Sequence, residues 1–226
     1  MIRLTREQMA ARVAADLQDG WFVNLGIGIP TLVSSYVSPS REVILQSENG
    51  LVGLGPIEKD PETWDPQLIN ASKEHVSLVT GASIVHHADS FAMIRGKHLD
   101  AAVLGGMQVS ERGDLANWRV PEEPMGSIGG AMDVAVGAKR LFVVMTHTTR
   151  EGAPKIVQEC TYPLTALRVV KKIFTDIAVV SVTAGGLVLD EVVEGWTAEA
   201  VQACTGAHLK IASDLQTINA ADRISA

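Results

Sequence analysis

The sequence is poor in cysteine and in aromatic residues. Two cysteines, Cys160 and Cys204, occur among 226 residues and lie far apart. Neither has a second thiol nearby, so the sequence indicates neither a zinc site nor a disulfide framework, and we expect two buried thiols. Aromatic residues make up only 4% of the chain and glycines number 20. This profile is typical of globular enzymes with tight backbone turns.

Clusters of positive charge and long hydrophobic runs are also missing. The net charge is −7, and no cluster of Lys and Arg is interleaved with aromatic residues, which argues against a nucleic-acid partner. No apolar run reaches the length of about 18 residues that a membrane helix needs, and Met1-Ile2-Arg3-Leu4 does not begin a signal peptide. We therefore expect a cytoplasmic protein without a membrane partner.

The length and the order of patterns predict one α/β domain that spans residues 1–226. No repeat and no linker rich in proline or serine divides the chain. Thr5 and Gln8 form a capping box before an amphipathic helix that Gly20 stops. Further strands are predicted at 76–79, 101–104, 140–146, 156–161, 177–182 and 187–190, an antiparallel pair at 107–109 and 115–118, and helices around 90–94, 166–174 and 198–203. The tail after residue 214 is predicted to be peripheral.

A polar turn follows a short apolar run early in the chain. Val43-Ile44-Leu45 predicts a buried strand, and the sequence turns polar within one residue before Asn49-Gly50, the strongest turn dipeptide. Glu48 therefore stands at a strand end, where open α/β sheets place their ligands. A carboxylate held there is a candidate for chemistry, although a solvated glutamate beside a turn shows the same pattern.

Two glycine-rich segments flank this strand. Residues 21–25 predict a strand that runs into Gly26-Ile27-Gly28-Ile29-Pro30 and then a short helical pattern. Gly28 there lets a ligand approach the backbone closely, but a turn that merely packs is an equal alternative. Residues 50–56 continue into a polar stretch that ends at residue 66, and we interpret the whole as a long loop covering the site.

A third glycine cluster, residues 126–133, precedes a helical pattern that ends near Gly137. Adjacent Gly129 and Gly130 at a helix start supply unobstructed N–H donors, which an oxyanion needs. A tight helix entry without a ligand is the alternative. His86-His87 suggests metal only weakly, because neighbours on an extended chain point to opposite faces, and we expect no metal site.

Taken together, these segments resemble a known family, the class I coenzyme A transferases, and within it the B (β) chains of 3-oxoacid CoA-transferases. The resemblance runs in the same order from about residue 5 to about residue 215. Lys97 stands where the resemblance leads us to expect glycine. The segments that carry it are 26–30, Ser47-Glu48-Asn49-Gly50, 90–96, 105–110, Leu115-Ala116-Asn117-Trp118, Gly129-Gly130-Ala131-Met132-Asp133 and 160–165.

The resemblance implies an open, mixed and mostly parallel sheet with helices on both faces, a fold shared with sugar-phosphate isomerases. It implies that Glu48 is a nucleophile that carries CoA as a glutamyl thioester between acids, from an acyl-CoA such as succinyl-CoA to acetoacetate or 3-oxoadipate. It places Gly129 and Gly130 at an oxyanion site, with Asn49 and Gly28 beside the substrate, and makes Lys73 a candidate for binding CoA. It further implies a homologous A subunit as partner, and coenzyme A as substrate carrier with no permanently bound cofactor.

Two alternatives remain open, and a third is discounted. A sugar-phosphate isomerase would use Glu48 as a general base. In a non-catalytic ligand-binding domain, Glu48 would be only a residue of a surface turn. A glycosidase would need a second positioned carboxylate, and Glu58, Asp60 and Glu62 all lie in one polar stretch, which argues against it.

Overall fold

Short apolar runs that end in tight turns build a ten-stranded sheet in the computed structural model, which describes residues 1–121 and 126–219. The helices are α1 Arg6–Asp16, α2 Ile29–Leu32, α3 His87–Arg95, α4 Ala131–Gly137 and α5 Ala198–Ala203. The strands are β1 Phe22–Leu25, β2 Ile44–Ser47, β3 Leu51–Ile57, β4 Val76–Ile84, β5 Ala101–Gly105, β6 Gln108–Ser110, β7 Leu115–Ala116, β8 Leu141–Val144, β9 Ile156–Val157, β10 Val170–Phe174, β11 Ala178–Thr183, β12 Gly186–Val193 and β13 Leu209–Ile218.

The centre of the sheet is parallel. Its order is β13-β12-β11-β10-β8-β5-β1-β2-β3-β4, and the five strands from β10 to β2 all run in one direction. β3 and β4 continue one side as antiparallel strands, and β11 and β12 continue the other. The predicted open, mixed and mostly parallel α/β fold is confirmed. The carboxyl ends of the five central strands therefore meet along one edge.

Aliphatic burial on both faces explains why the centre is parallel. β8 consists of Leu141, Phe142, Val143 and Val144, and all four are buried. A strand buried on both faces must be covered by other elements on each side, which is the usual situation in parallel sheets. α1 packs against α2, β8 and β10, while α3 packs against α4 and α4 against β5.

The first helix begins as the sequence predicts. The Thr5 hydroxyl accepts the Gln8 N–H, and the Gln8 side chain accepts the Thr5 N–H, which completes the capping box. The buried positions include Met9 and Val13, so one face of α1 packs into the core. Within the described ranges, the structure contains no helix with the length and apolar character needed to cross a membrane.

Residues 51–57 form the strand β3, where the sequence predicts a long loop. β3 bends where its register shifts between Val52 and Leu54. A Cβ on Gly53, whose φ is 85°, would lie 2.9 Å from Ala82 Cα, and one on Gly55 would lie 2.6 Å from Ser77 Oγ. The glycines thus allow β4 to approach closely, which is a recognised use of glycine inside strands. The loop begins only after β3.

Three further predictions were wrong in part. Residues 170–174 form β10 and not a helix, because they pair with β8 and β11. The three-residue spacing of Val170 and Ile173 suits a helix, and the register shift between Val170 and Lys172 allows both to be buried in a strand. Residues 215–218 of the tail predicted to be peripheral belong to β13, which pairs along β12, and Ile218 is buried, while residues 220–226 lie outside the described residues. β6 and β7 pair as predicted but form a separate sheet with the two-residue strand β9.

Candidate active site

Glu48 lies directly after β2, at the carboxyl edge of the parallel strands. Leu45, Gln46 and Ser47, which precede it, are buried and hold β2 in place. Gly50 N–H donates to Ser47 O at 3.0 Å and closes the turn. Gly50 has φ 117°, and a Cβ there would lie 2.3 Å from Val85 O, so the turn requires glycine. The predicted Asn-Gly turn thus holds the half-buried Glu48 at a rigid strand end.

A buried chain of polar side chains supports this strand end. Asn24 Nδ2 donates to Gln46 Oε1 at 2.6 Å, and Gln46 Nε2 donates to Ser90 Oγ at 2.6 Å. The three residues come from β1, β2 and α3, and each is almost fully buried. Asn24 Oδ1 is buried without a hydrogen-bond partner among the described residues, but the two bonds of Gln46 fix β2 and α3 relative to each other just before Glu48.

The Glu48 side chain borders a cavity of 470 Å³. β1 and β5 contribute their carboxyl ends, and the two segments around residues 117–118 and 127–131 form other walls. Asn117 Nδ2 donates to Gly105 O at 3.1 Å and holds one wall in place. The wall residues used below are Ile27, Met107, Trp118, Gly129 and Gly130.

The surroundings of Glu48 favour a reactive carboxylate. Burial raises the pKa of Glu48 above its ordinary value, and the charge of His87 opposes that rise. Among the residues that the structure describes, the Glu48 carboxylate accepts no hydrogen bond. A carboxylate that is partly removed from water and has no fixed donor remains available to attack.

The predicted oxyanion glycines face Glu48. A Cβ built on Gly130 would lie 3.0 Å from Glu48 Oε2 and 2.6 Å from Phe91 Cζ. Within residues 1–121 and 126–219, the N–H groups of Gly129 and Gly130 donate no hydrogen bond, whereas the next N–H, of Ala131, donates to Ile128 O. The structure therefore brings both glycines into the cavity with unengaged donors.

The other predicted binding residues lie outside this cavity. Gly28 N–H already donates to Ser72 Oγ at 3.1 Å, and Gly28 borders a separate cavity. Asn49 is exposed and donates to Ile69 O at 2.7 Å. Lys73 is exposed beside Ser72, with φ 63°.

Sequence reasoning missed His87 and Phe91. His86 caps α3 through Nδ1, which accepts Ala88 N–H at 3.1 Å, so His87 begins the helix. The centroid of its ring lies 4.7 Å from that of the Phe91 ring, with the two planes tilted by 50°, beside Gly130 and Glu48. The His-His pair is a visible signal in the sequence, but the pattern by itself suggests only a metal site.

The structure gives little support to a metal site or to a reactive cysteine thiol. The parts of the chain that the structure describes contain no group of three or more His, Cys, Asp or Glu side chains that could hold a metal ion. Burial raises the pKa of Cys160 to about 11, so its sulfur stays a thiol at neutral pH. Cys160 and Cys204 are both free thiols and both half-buried, so the expectation of two buried thiols is wrong in part.

The fold and the site define a class of protein: an open α/β protein with a half-buried carboxylate at the carboxyl edge of its parallel strands, facing a glycine loop. The chain belongs to the coenzyme A transferase family and is thus a transferase, since residues 6–203 match the family model described as coenzyme A transferase. The resemblance inferred from the sequence is confirmed.

Individual relatives agree with this membership. The chain is 55% identical over 191 residues to the B subunit of 3-oxoadipate CoA-transferase from Pseudomonas putida, covering 84% of this chain and 89% of that protein. It is 46% identical over 208 residues to the B subunit of succinyl-CoA:3-ketoacid coenzyme A transferase from Helicobacter pylori, covering 91% and 99%. An acyl-CoA transferase (YdiF) from Escherichia coli O157:H7 shares the fold, with a TM-score of 0.76 at 19% identity. This chain is covered to 98%, and it spans 44% of that longer chain.

Proposed function

We propose that this chain is the glutamate-bearing B subunit of a transferase that moves CoA from an acyl-CoA such as succinyl-CoA to a 3-oxoacid. The observation that carries the proposal is the Glu48 carboxylate, half-buried and unpaired within the described residues, in a cavity that also contains Gly129 and Gly130. The names of the relatives above support the substrate class and the assignment as a B subunit.

The proposed reaction passes CoA through Glu48 in balanced steps. The carboxylate attacks the thioester carbonyl and expels CoA thiolate, which leaves a mixed anhydride between Glu48 and the acyl group. The thiolate then attacks the glutamyl carbonyl and releases the first acid as its carboxylate. A glutamyl-CoA thioester remains on Glu48. The carboxylate of the second acid attacks it, and the same steps run in reverse.

A carboxylate is suited to this chemistry in a way that other nucleophiles are not. A serine or cysteine could form an acyl-enzyme but could not itself carry CoA as a thioester. The burial that raises the pKa of Glu48 also removes water from the carboxylate. Because water would hydrolyse the anhydride, a partly closed cavity serves the transfer.

The proposed oxyanion donors are the N–H groups of Gly129 and Gly130. Each acyl transfer places negative charge on a carbonyl oxygen, and fixed N–H donors stabilise that charge. Their unengaged state and the close approach of Gly130 to the Glu48 side chain support this role. The geometry supports Gly28 and Asn49 less, since their donors are already bound elsewhere.

We also propose that an A subunit completes the enzyme. The relatives are named as B subunits, and Ile27, which borders the Glu48 cavity, is 66% exposed. Met132 and Val136 of α4 are 45% and 60% exposed on the segment that follows Gly130. Apolar side chains around a site mark a surface for a partner.

The test is an activity panel with the chain co-expressed with an A subunit. Succinyl-CoA is the donor, acetoacetate and 3-oxoadipate are offered separately as acceptors, and formation of the new CoA thioester is measured. Transfer to at least one 3-oxoacid that is lost in Glu48→Gln supports the proposal. Hydrolysis without transfer, or undiminished transfer by Glu48→Gln, would contradict it.

A further inference from the structure

A cleft lies at the edge of the sheet opposite to Glu48. It has a volume of 610 Å³ and is bordered by the β11–β12 turn, by the starts of β12 and β13, and by the segments around Arg112 and Arg168. Glu48 follows the carboxyl end of β2, whereas Arg168 precedes β10 and so lies at the amino edge of the parallel strands. The cleft is therefore separate from the Glu48 cavity.

This cleft concentrates positive charge. Arg112, Arg168 and Lys210 line it, and Glu111 is the carboxylate among the residues that border it. Within the part of the chain that the structure describes, none of these four side chains forms a salt bridge. The chain as a whole has a net charge of −7, so cations without a paired carboxylate stand out here. Like charges that are held together repel each other, and an anion between them relieves that repulsion.

Backbone contacts hold the two arginine segments together. Gly113 O, which follows Arg112, accepts the N–H groups of Val169 and Val170, each at 3.0 Å. A Cβ on Gly113, whose φ is 84°, would lie 2.8 Å from Val170 O, so this close approach requires glycine. The turn that carries Arg112 and the segment that carries Arg168 are thus fixed against each other.

The backbone of Arg168 is held in an unfavourable conformation. Its φ of 55° is left-handed, a region that residues with a Cβ rarely adopt. The Arg168 N–H donates to Asp114 Oδ1 at 2.9 Å, and Ser110 Oγ donates to Asp114 Oδ2 at 2.8 Å. Asp114 therefore holds the Arg168 backbone without forming a salt bridge to its guanidinium. Strain of this kind is concentrated at functional sites.

Lys210 is fixed on the opposite wall of the cleft. Its Nζ donates to Gly185 O at 2.6 Å, at the tip of the β11–β12 turn. Thr183 stiffens that turn, because its Oγ1 accepts Gly185 N–H at 3.1 Å and donates to Gly186 O at 2.7 Å. An ammonium carries three donors, so this single bond among the described residues leaves others for a ligand. His208 adds a ring nitrogen to the same wall.

The size and the lining of the cleft define its ligand. Its 610 Å³ fall within the range of about 300–1,000 Å³ that small-molecule sites occupy. The described residues that line it include no Phe, Tyr or Trp, so a nucleotide base has no aromatic ring to stack on. Guanidinium groups bind phosphate and carboxylate by paired hydrogen bonds. We propose that this cleft is a second binding site, for a compact polyanion with two or more phosphate or carboxylate groups. The inference does not depend on the proposed function.

Calorimetric titration of the complex with an A subunit tests the inference, with pyrophosphate and citrate as separate probes. The buffer contains about 0.15 M KCl, because a Debye length of about 8 Å screens diffuse attraction. Arg112→Gln/Arg168→Gln should bind at least tenfold more weakly than wild type, since it removes two charge-assisted contacts. Lys59→Gln/Lys97→Gln removes two exposed cations outside the cleft and should bind like wild type. Circular dichroism checks that each variant is folded.

A second variant and a competition experiment complete the test. Lys210→Gln leaves both arginine segments intact and should also weaken binding. Tighter binding of pyrophosphate identifies a phosphate ligand, and tighter binding of citrate a carboxylate ligand. If neither probe binds the wild type, or if the lysine control loses as much affinity as the arginine variant, the inference is wrong. Wild-type complex saturated with CoA should keep its affinity for the probe. Displacement of the probe by CoA would assign the cleft to CoA and overturn the inference.

Discussion

The backbone of Gly130 lies against the carboxylate of Glu48. A methyl group at Gly130 would sit 3.0 Å from Glu48 Oε2 and 2.6 Å from Phe91 Cζ, while the φ of Gly130, −85°, is open to any L-residue. The need for glycine here is therefore steric and not conformational. In the proposed mechanism, a loop this close to Glu48 can place its N–H donors on the reacting carbonyl.

Gly130→Ala should depress turnover more than it depresses stability. The added methyl displaces the Glu48 carboxylate or the Phe91 ring, and a misplacement of about 1 Å can cost about 100-fold in rate. The measurement is kcat/KM of the complex together with the melting temperature. Gly185→Ala is the control, since its Cβ would meet only the flexible Lys210 Nζ, at 3.3 Å, and Thr183 Oγ1, at 3.7 Å. Parallel losses of activity and stability in Gly130→Ala would favour a purely structural glycine.

His87→Gln should move the acid limb of the pH profile to higher pH. A positive charge on His87 favours the ionised form of Glu48 and lowers its pKa, so its removal leaves the effect of burial unopposed. Glu48 must be ionised to attack, and kcat/KM against pH reports its ionisation in the free enzyme. His98→Gln, at an exposed histidine beyond α3, is the control. An acid limb that stays in place or moves to lower pH would contradict this electrostatic role.

Ser90→Ala should destabilise the protein by about 1–3 kcal/mol, because it leaves the buried Gln46 amide N–H without an acceptor. Denaturant unfolding of the purified chain measures the change. Ser38→Ala, at the exposed Ser38-Ser40 turn, is the matched control and should fall within about 0.5 kcal/mol of wild type. If the two variants have equal free energies of unfolding, the hydrogen-bond network beneath Glu48 does not contribute to stability.

Much of the central fold is predictable because β5 and β8 consist of apolar residues and glycine. The apolar runs locate β1 and β8 within a residue or two, and the Glu48 turn follows from Asn49-Gly50. β10 is not predictable, because the three-residue spacing of Val170 and Ile173 favours a helix, and pairing with β8 and β11 makes the segment a strand. Lys97, where the resemblance leads us to expect glycine, has φ 59°, so the backbone there is left-handed whatever residue it holds.

The candidate site is predictable only in part. Glu48, Gly129 and Gly130 carry local signals, a strand-end turn and a glycine pair. His87 and Phe91 reach Glu48 only because α3 packs beside β2, and that approach is a property of the tertiary structure. Gly28 lies close in sequence to the wall residue Ile27, yet its N–H points to Ser72.

The chain alone should be inactive in CoA transfer and should gain activity when mixed with an A subunit. Its cavity is bordered by exposed Ile27 on one side, which a second chain would cover. Activity is measured for each chain and for the mixture, and association is followed by light scattering. Full transfer by this chain, expressed in a host shown to lack any A subunit, would contradict the requirement for a partner. Ile27→Asp should weaken association without unfolding the chain, because the side chain is 66% exposed.

Mass spectrometry of the complex after incubation with succinyl-CoA and no acceptor tests the central claim most directly. We predict a peptide that contains Glu48 and has gained the mass of CoA with loss of water, absent in Glu48→Gln and removed when a 3-oxoacid is added. A CoA adduct on Cys160 or Cys204, or transfer that proceeds with no adduct on Glu48 at any time, would contradict the account.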